Sequence, residues 1–272
     1  MYDPDPSAQG EEPVTTMTTL PVGPVRVHDL DFAGASDEVL KLAAARSGQR
    51  AVVVTPNGQH LDLLRREPAL VTVYRRAELV LPDGWPVVLA MKWRGAKASG
   101  RVTGADLLPS LCRHAASSGL TVGLVGGKPD VAARAAQRLT ARYPGLKVTL
   151  THSPPMGFER DDEACRQMAA LVAEAGVQLL FLGLGAPKQE LFADLWLRSS
   201  GPGVTLCVGA AIDFVAGEQV RAPELWRRLG LEWLHRLLRE PRRLSGRYMK
   251  TIPVICGVLV GAGVDFLCGR SR

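Results

Sequence analysis

Asp83 stands in the stretch LPDGWP (residues 81–86), directly after the apolar run AELVL (residues 77–81). Pro-Asp-Gly is turn chemistry, because proline presets φ and glycine accepts positive φ. The same place, at the exit of a buried strand, also presents a carboxylate to whatever binds there. On these residues alone both readings stand. Three more apolar runs end in comparable fashion: AVVV (residues 51–54) runs into Thr55, Pro56 and Asn57, TVGLV (residues 121–125) into Gly126, Gly127 and Lys128, and LLFL (residues 179–182) into GLGAPKQ (residues 183–189). The glycines at 126 and 127 let backbone N–H groups approach a ligand closely, and a following helix N-terminus favours negative charge. Gly183 and Gly185 lack the third glycine of a dinucleotide fingerprint, and neither glycine segment has Walker A spacing. Each exit alone is an ordinary strand-to-helix turn. Four together point to a common cleft.

The elements that must hold these exits are short, continuous apolar strands separated by amphipathic helices. Ser36 reads as the N-cap of a first helix closed by Gly48, with AVVV following. Helices are expected around residues 131–142 and 187–197, and VTLCV (residues 204–208) is a further buried strand. This alternation predicts an α/β fold: a doubly wound, mainly parallel, Rossmann-like sheet with helices on both faces. In such sheets ligands bind outside the carboxyl ends of the strands, where the four exits lie.

The chain has 272 residues and a formal charge of +6, from 33 Lys and Arg against 27 Asp and Glu. Nine basic residues between 221 and 250 face three acidic ones, so this one segment equals the whole excess. Its tryptophans and leucines recur at helical spacing, and Pro241 divides it into two helices. A basic helical appendage of this kind suits an anionic membrane surface; a solvated face packed on the body is the plainer alternative. A nucleic-acid partner ranks last, since the apolar residues suit lipid better than a phosphate backbone. The apolar run at residues 252–264 is short for a full span, which favours shallow insertion, with a core helix as the alternative. The first 24 residues are acidic, rich in Pro and Thr, and read as a disordered preface that is not a secretory signal. Five scattered cysteines without C-x-x-C spacing read as free thiols in a reducing cytosol. The chain thus divides into a preface (1–24), an α/β core (25–220), the appendage (221–250) and an apolar tail (251–272).

The ordered series TPN, LVLPDG, GRVTGADLLP, VGLVGGKP, RYPGLKV, LFLGLGAPKQE, VGAAIDFVAGEQVRAP and LGLEWLHRLLREPRRL, from about residue 25 to residue 248, resembles the WecG/TagA/CpsF glycosyltransferase family. The resemblance implies transfer of a sugar from a UDP-sugar to a polyprenyl-diphosphate-linked sugar acceptor, with inversion and without a metal or cofactor. It implies a cytoplasmic protein held peripherally at the inner face of the membrane. Asp83 matches the family's proposed general base. Thr55, Asn57, Arg101 and Gln189 would line the substrate pocket with Gly126, Gly127, Gly185, Lys188 and Glu190. Arg236, Arg243 and Arg247 would meet the acceptor diphosphate.

An inverting transfer needs one base within hydrogen-bond reach of the acceptor hydroxyl, and positive charge or N–H dipoles for the departing diphosphate. Guanidinium forks suit the second task. N-Acetylmannosamine is the default sugar of this reading. A UDP-sugar-binding regulatory module without catalysis is the alternative. His60, His114, His152 and His235 read as structural or surface residues. If the appendage completes the pocket, assembly of a homo-oligomer would hide or expose it.

Overall fold

The structure is a computed structural model. It describes residues 17–45, 48, 50–98, 100–239 and 241–268, without the side chains of residues 228, 236, 243, 244 and 247. Most of the acidic preface therefore lies outside the described residues. Its last part is built into the fold: β1 (Thr19–Val22) pairs antiparallel with β2 (Val25–His28), and Val22, Val25 and Val27 are buried.

Helix α1 (Phe32–Ala44) begins earlier than Ser36, because Asp31 accepts the Gly34 N–H at 2.8 Å and caps it. Ser36 is instead buried inside the helix, its hydroxyl donating to the Phe32 carbonyl. Then come β3 (Arg50–Val54), α2 (Gly58–Arg66), α3 (Pro68–Arg76) and the two-residue β4 (Leu79–Val80). Two helices, α4 (Trp85–Trp93) and α5 (Gly104–Ser118), lead to β5 (Thr121–Gly126). Next are α6 (Val131–Arg142), β6 (Lys147–His152), α7 (Asp162–Glu174), β7 (Leu179–Gly183) and α8 (Lys188–Phe192). The last strand, β8 (Gly203–Cys207), precedes α9 (Ala211–Ala216), α10 (Glu224–Arg228), α11 (Glu232–Arg239) and α12 (Pro241–Leu267).

The six core strands lie in the order β4-β3-β8-β7-β5-β6, and every pair is parallel. Successive strand residues feed opposite faces: Val53, Leu124, Phe181 and Leu206 join α1, α5, α6 and α9. Val54, Val125, Leu182 and Cys207 join α2, α3, α4, α7 and α12. This is the doubly wound α/β architecture, with both sheet faces covered. The chain leaves β5 toward β6 and leaves β7 toward β8, in opposite directions, so the sheet's switch point lies between β5 and β7. At the other end of the strands, buried Arg50 of β3 bonds Val204 O of β8 (3.4 Å) and the segments that enter β7 and β8, through Val177 O (2.6 Å) and Ser200 Oγ (3.2 Å).

Pro241 does open a new helix, and that helix runs unbroken through residue 250 to Leu267, past Pro253. Its stretch Tyr248–Leu267 has mean hydropathy 1.6 and is long enough by length and composition to cross a membrane, with 17% of it buried. One side packs on α2 and α4 through Thr251, Val254 and Ala262. The other exposes Met249, Ile252, Val260, Val264 and Leu267.

Candidate active site

Asp83 leaves β4 with its backbone N–H donating to the Pro56 carbonyl at 3.1 Å, while Leu81 N–H bonds Val54 O. The exits of β3 and β4 are thereby zipped together. Gly84 is required by this approach and not by positive φ. It sits at φ −94, and a Cβ there would stand 3.0 Å from Asn57 Cβ. Proline at the second position of α4 then starts the helix that carries the loop.

Burial raises the Asp83 carboxyl to about 6. Glu232 adds to the rise, while Arg101, His60 and the hydrogen-bonding Asn57 side chain hold it back. Asn57 caps α2, accepting the Gln59 N–H at 3.0 Å, and buried Thr55 donates to Cys207 O at 3.1 Å. Arg101 approaches from the loop before α5 and donates to Glu232 Oε2 at 3.2 Å.

That glutamate comes from the appendage, the first turn of α11. Arg221 Nε lies 3.7 Å from its other oxygen, and Arg221 also grips Asp106 with two bonds of 2.6 and 2.8 Å. Burial works against the Asp106 carboxylate, yet its bonds from Arg221 and Thr103 keep it below the usual carboxylate range. Gly230 packs on Trp85, so the appendage rests directly on the LPDGWP loop. Arg236, Arg243 and Arg247 belong to α11 and α12, and their side chains lie outside the described residues.

At the switch point Gly126 and Gly183 stand in register. A Cβ on Gly126, at φ +136, would fall on the Gly183 carbonyl; one on Gly183 would meet Gly209 O at 2.8 Å. Three strand exits are thus in backbone contact. Gly127 adopts φ +76, and Asp213 Oδ1 lies 3.4 Å from where its Cβ would stand. Asp130, at φ +66, stands at the position before α6 and makes no side-chain bond to that helix's N–H groups. Gly185 has φ +80 with open space around it, which leaves its backbone approachable.

The residues of the β7 exit split between surface and interior. Lys188 pairs with Glu159 at 3.0 Å and is 40% exposed. Gln189 and Glu190 are buried: Gln189 accepts the Gly209 N–H at 3.1 Å and donates to Glu190 Oε1 at 2.8 Å. His60, one of the histidines expected to be structural or on the surface, lies here too, buried, its Nε2 3.2 Å from Glu190 Oε1. Its one legible signal is the spacing Asn57-x-x-His60, a capping-box position with imidazole in place of Glu or Gln. Glu232 and Arg221 carried no such signal, because their partners lie more than a hundred residues away.

An open cleft of about 470 Å³ lined by Phe32, Asp106, Ser110, Arg113 and Tyr143 reaches this constellation through Arg101. Among the described residues, no three His, Cys, Asp or Glu side chains are grouped to hold a metal ion. Residues 20–270 match the model of the family described as "Glycosyl transferase WecG/TagA/CpsF family", a span that runs past both ends of the motif series.

Proposed function

The chain belongs to the WecG/TagA/CpsF glycosyltransferase family, so it is a glycosyltransferase of cell-surface polysaccharide synthesis, and from that premise we propose an inverting transfer from a UDP-sugar with Asp83 as the base. The acceptor in this reading is a hydroxyl of a sugar on a polyprenyl diphosphate, presented at the inner membrane face. The observation that carries it is a single carboxylate at the β4 exit, raised to about 6 and bordered by Asn57 and Arg101.

The acceptor oxygen attacks the anomeric carbon as the bond from that carbon to the UDP phosphate oxygen breaks. The hydroxyl proton passes to Asp83, and both electrons of the broken bond leave with UDP. A base near 6 is ionised at neutral pH, yet it holds a proton more readily than an ordinary aspartate. Arg101 and the N–H groups at Gly126, Gly127 and Gly185 meet the growing charge on the diphosphate without a metal. For the acceptor diphosphate the reading assigns Arg236, Arg243 and Arg247.

The apolar outer side of α12, below a segment rich in arginine, supports peripheral attachment to an anionic membrane. The default donor is UDP-N-acetylmannosamine. A panel of UDP-sugars against a short-chain lipid-diphosphate GlcNAc acceptor tests donor and acceptor together. UDP release only in the presence of the acceptor supports the reading. Tight UDP binding without transfer to any acceptor favours a regulatory module instead.

A further inference from the structure

The β3 exit, the β7 exit and α3 enclose a polar cluster behind Asp83 that the transfer chemistry leaves without a task. Glu190 is fully buried, His60 is 7% exposed and Tyr74 is 2% exposed. We propose that His60 and Glu190 are positioning residues for the base: they form the buried end of a hydrogen-bonded chain that holds the Asn57 amide against the Asp83 carboxylate. The inference rests on Asp83 being that base.

The chain can be followed atom by atom. Glu190 Oε1 accepts from Gln189 Nε2 at 2.8 Å and lies 3.2 Å from His60 Nε2. On the other side of the ring, Nδ1 is 3.2 Å from the Asn57 backbone N and 2.9 Å from Asn57 Oδ1. That amide oxygen already accepts the Gln59 N–H at 3.0 Å. The nitrogen edge of the amide is therefore the one left to donate to Asp83, an orientation assigned from the network. A donor held on a carboxylate favours its ionised form.

With its proton on Nε2 the ring donates to Glu190 and takes the Asn57 N–H at Nδ1; with a proton on Nδ1 it donates to Asn57 Oδ1. Simple packing has no need of this arrangement, since a buried carboxylate is costly unless it is paired. Glu190 Oε2 and the Tyr74 hydroxyl also remain buried without a hydrogen-bond partner among the described residues, so the cluster is not built for maximal stability. The groups facing His60 are Glu190 from α8, Tyr74 from α3, and Asn57 and Asp83 from the two zipped exits. Those facing Asp83 are Glu232, Arg101, Arg221, His60, Tyr74 and Asn57.

The test uses full-length His60→Ala and Glu190→Gln, with UDP-sugar and lipid-diphosphate acceptor, across the pH range. Each variant should lose about tenfold to a hundredfold in kcat, with donor KM changed by no more than about threefold. The acid limb of the kcat profile should move to higher pH, because the Asn57 donor that favours ionised Asp83 is no longer held in place. Folded variants whose acid limb stays in place, or whose kcat is unchanged, overturn the proposal and leave a packing role. Should His60→Ala fail to fold, the isosteric Glu190→Gln decides alone. Asp83→Asn in parallel separates the two ideas: if that variant turns over normally, the base assignment falls and this inference falls with it.

Discussion

Asp83 joins a stability cost to a catalytic use. Its carboxyl is raised from 3.8 to about 6 in the folded protein, so the fold binds this proton more tightly than the open chain does. That contribution is fully present below about pH 4 and is lost as pH rises through 6. Asp83→Asn should therefore abolish turnover, by about 10²- to 10⁴-fold, and raise Tm at pH 7 or 8. The gain should be about 1–2 kcal/mol, less than the full shift implies because the carboxylate keeps some contact with water. Thermal melts at pH 5 and pH 8 check the sign: the variant's advantage should shrink at the lower pH. In the active protein, kcat/KM should rise with pH along an acid limb near 6, and a limb near 4 would remove Asp83 from the role.

At the scale of elements, the strand exits were legible and their mutual contacts were not. Short apolar runs ending in Thr55, Asp83, Gly126 and Gly183 placed one cleft at the carboxyl edge of one sheet, because strand length and alternation are local properties. The reason for Gly84 lay outside the local sequence: its neighbour Asn57 comes from another strand. The bond from His60 to Glu190 was hidden for the same reason, since the two lie 130 positions apart. Start signals also compete, and Asp31 outcompeted Ser36 as the cap of α1 because its side chain reaches the Gly34 N–H. The backbone contact at the switch point gives a sharp prediction. Gly126→Ala puts a methyl on the Gly183 carbonyl at φ +136, so it should cost roughly 1–3 kcal/mol in strain and weaken UDP binding by calorimetry. Gly185→Ala, with open space around it, should bear only the backbone term.

Across the whole molecule, the appendage is tied to the core at two distant places. Glu232 and Arg221 hold it at the site, and Asp265 holds the far end of α12 to Arg94 through bonds of 2.8 and 3.1 Å. A chain ending at Arg221 should keep the sheet, read by circular dichroism, and lose activity. It also uncovers the apolar sides of α2 and α4, so light scattering should show it self-associating more than the full chain does. In flotation with anionic vesicles the full chain should bind and release with added salt, as attraction between arginines and lipid is screened. Binding equal on neutral vesicles would assign attachment to the apolar side of α12 alone.

Ile255 of α12 presses on the start of α2, its Cδ1 standing 2.8 Å from where a Cβ on Gly58 would be. Gly58 is also the residue after Asn57. A displacement of α12 on a surface would therefore bear, one peptide away, on the residue whose amide faces Asp83. By thermodynamic reciprocity, whatever factor lipid attachment imposes on donor affinity, donor occupancy must impose on lipid attachment. The protein would then be retained where it has substrate and shed where it has none.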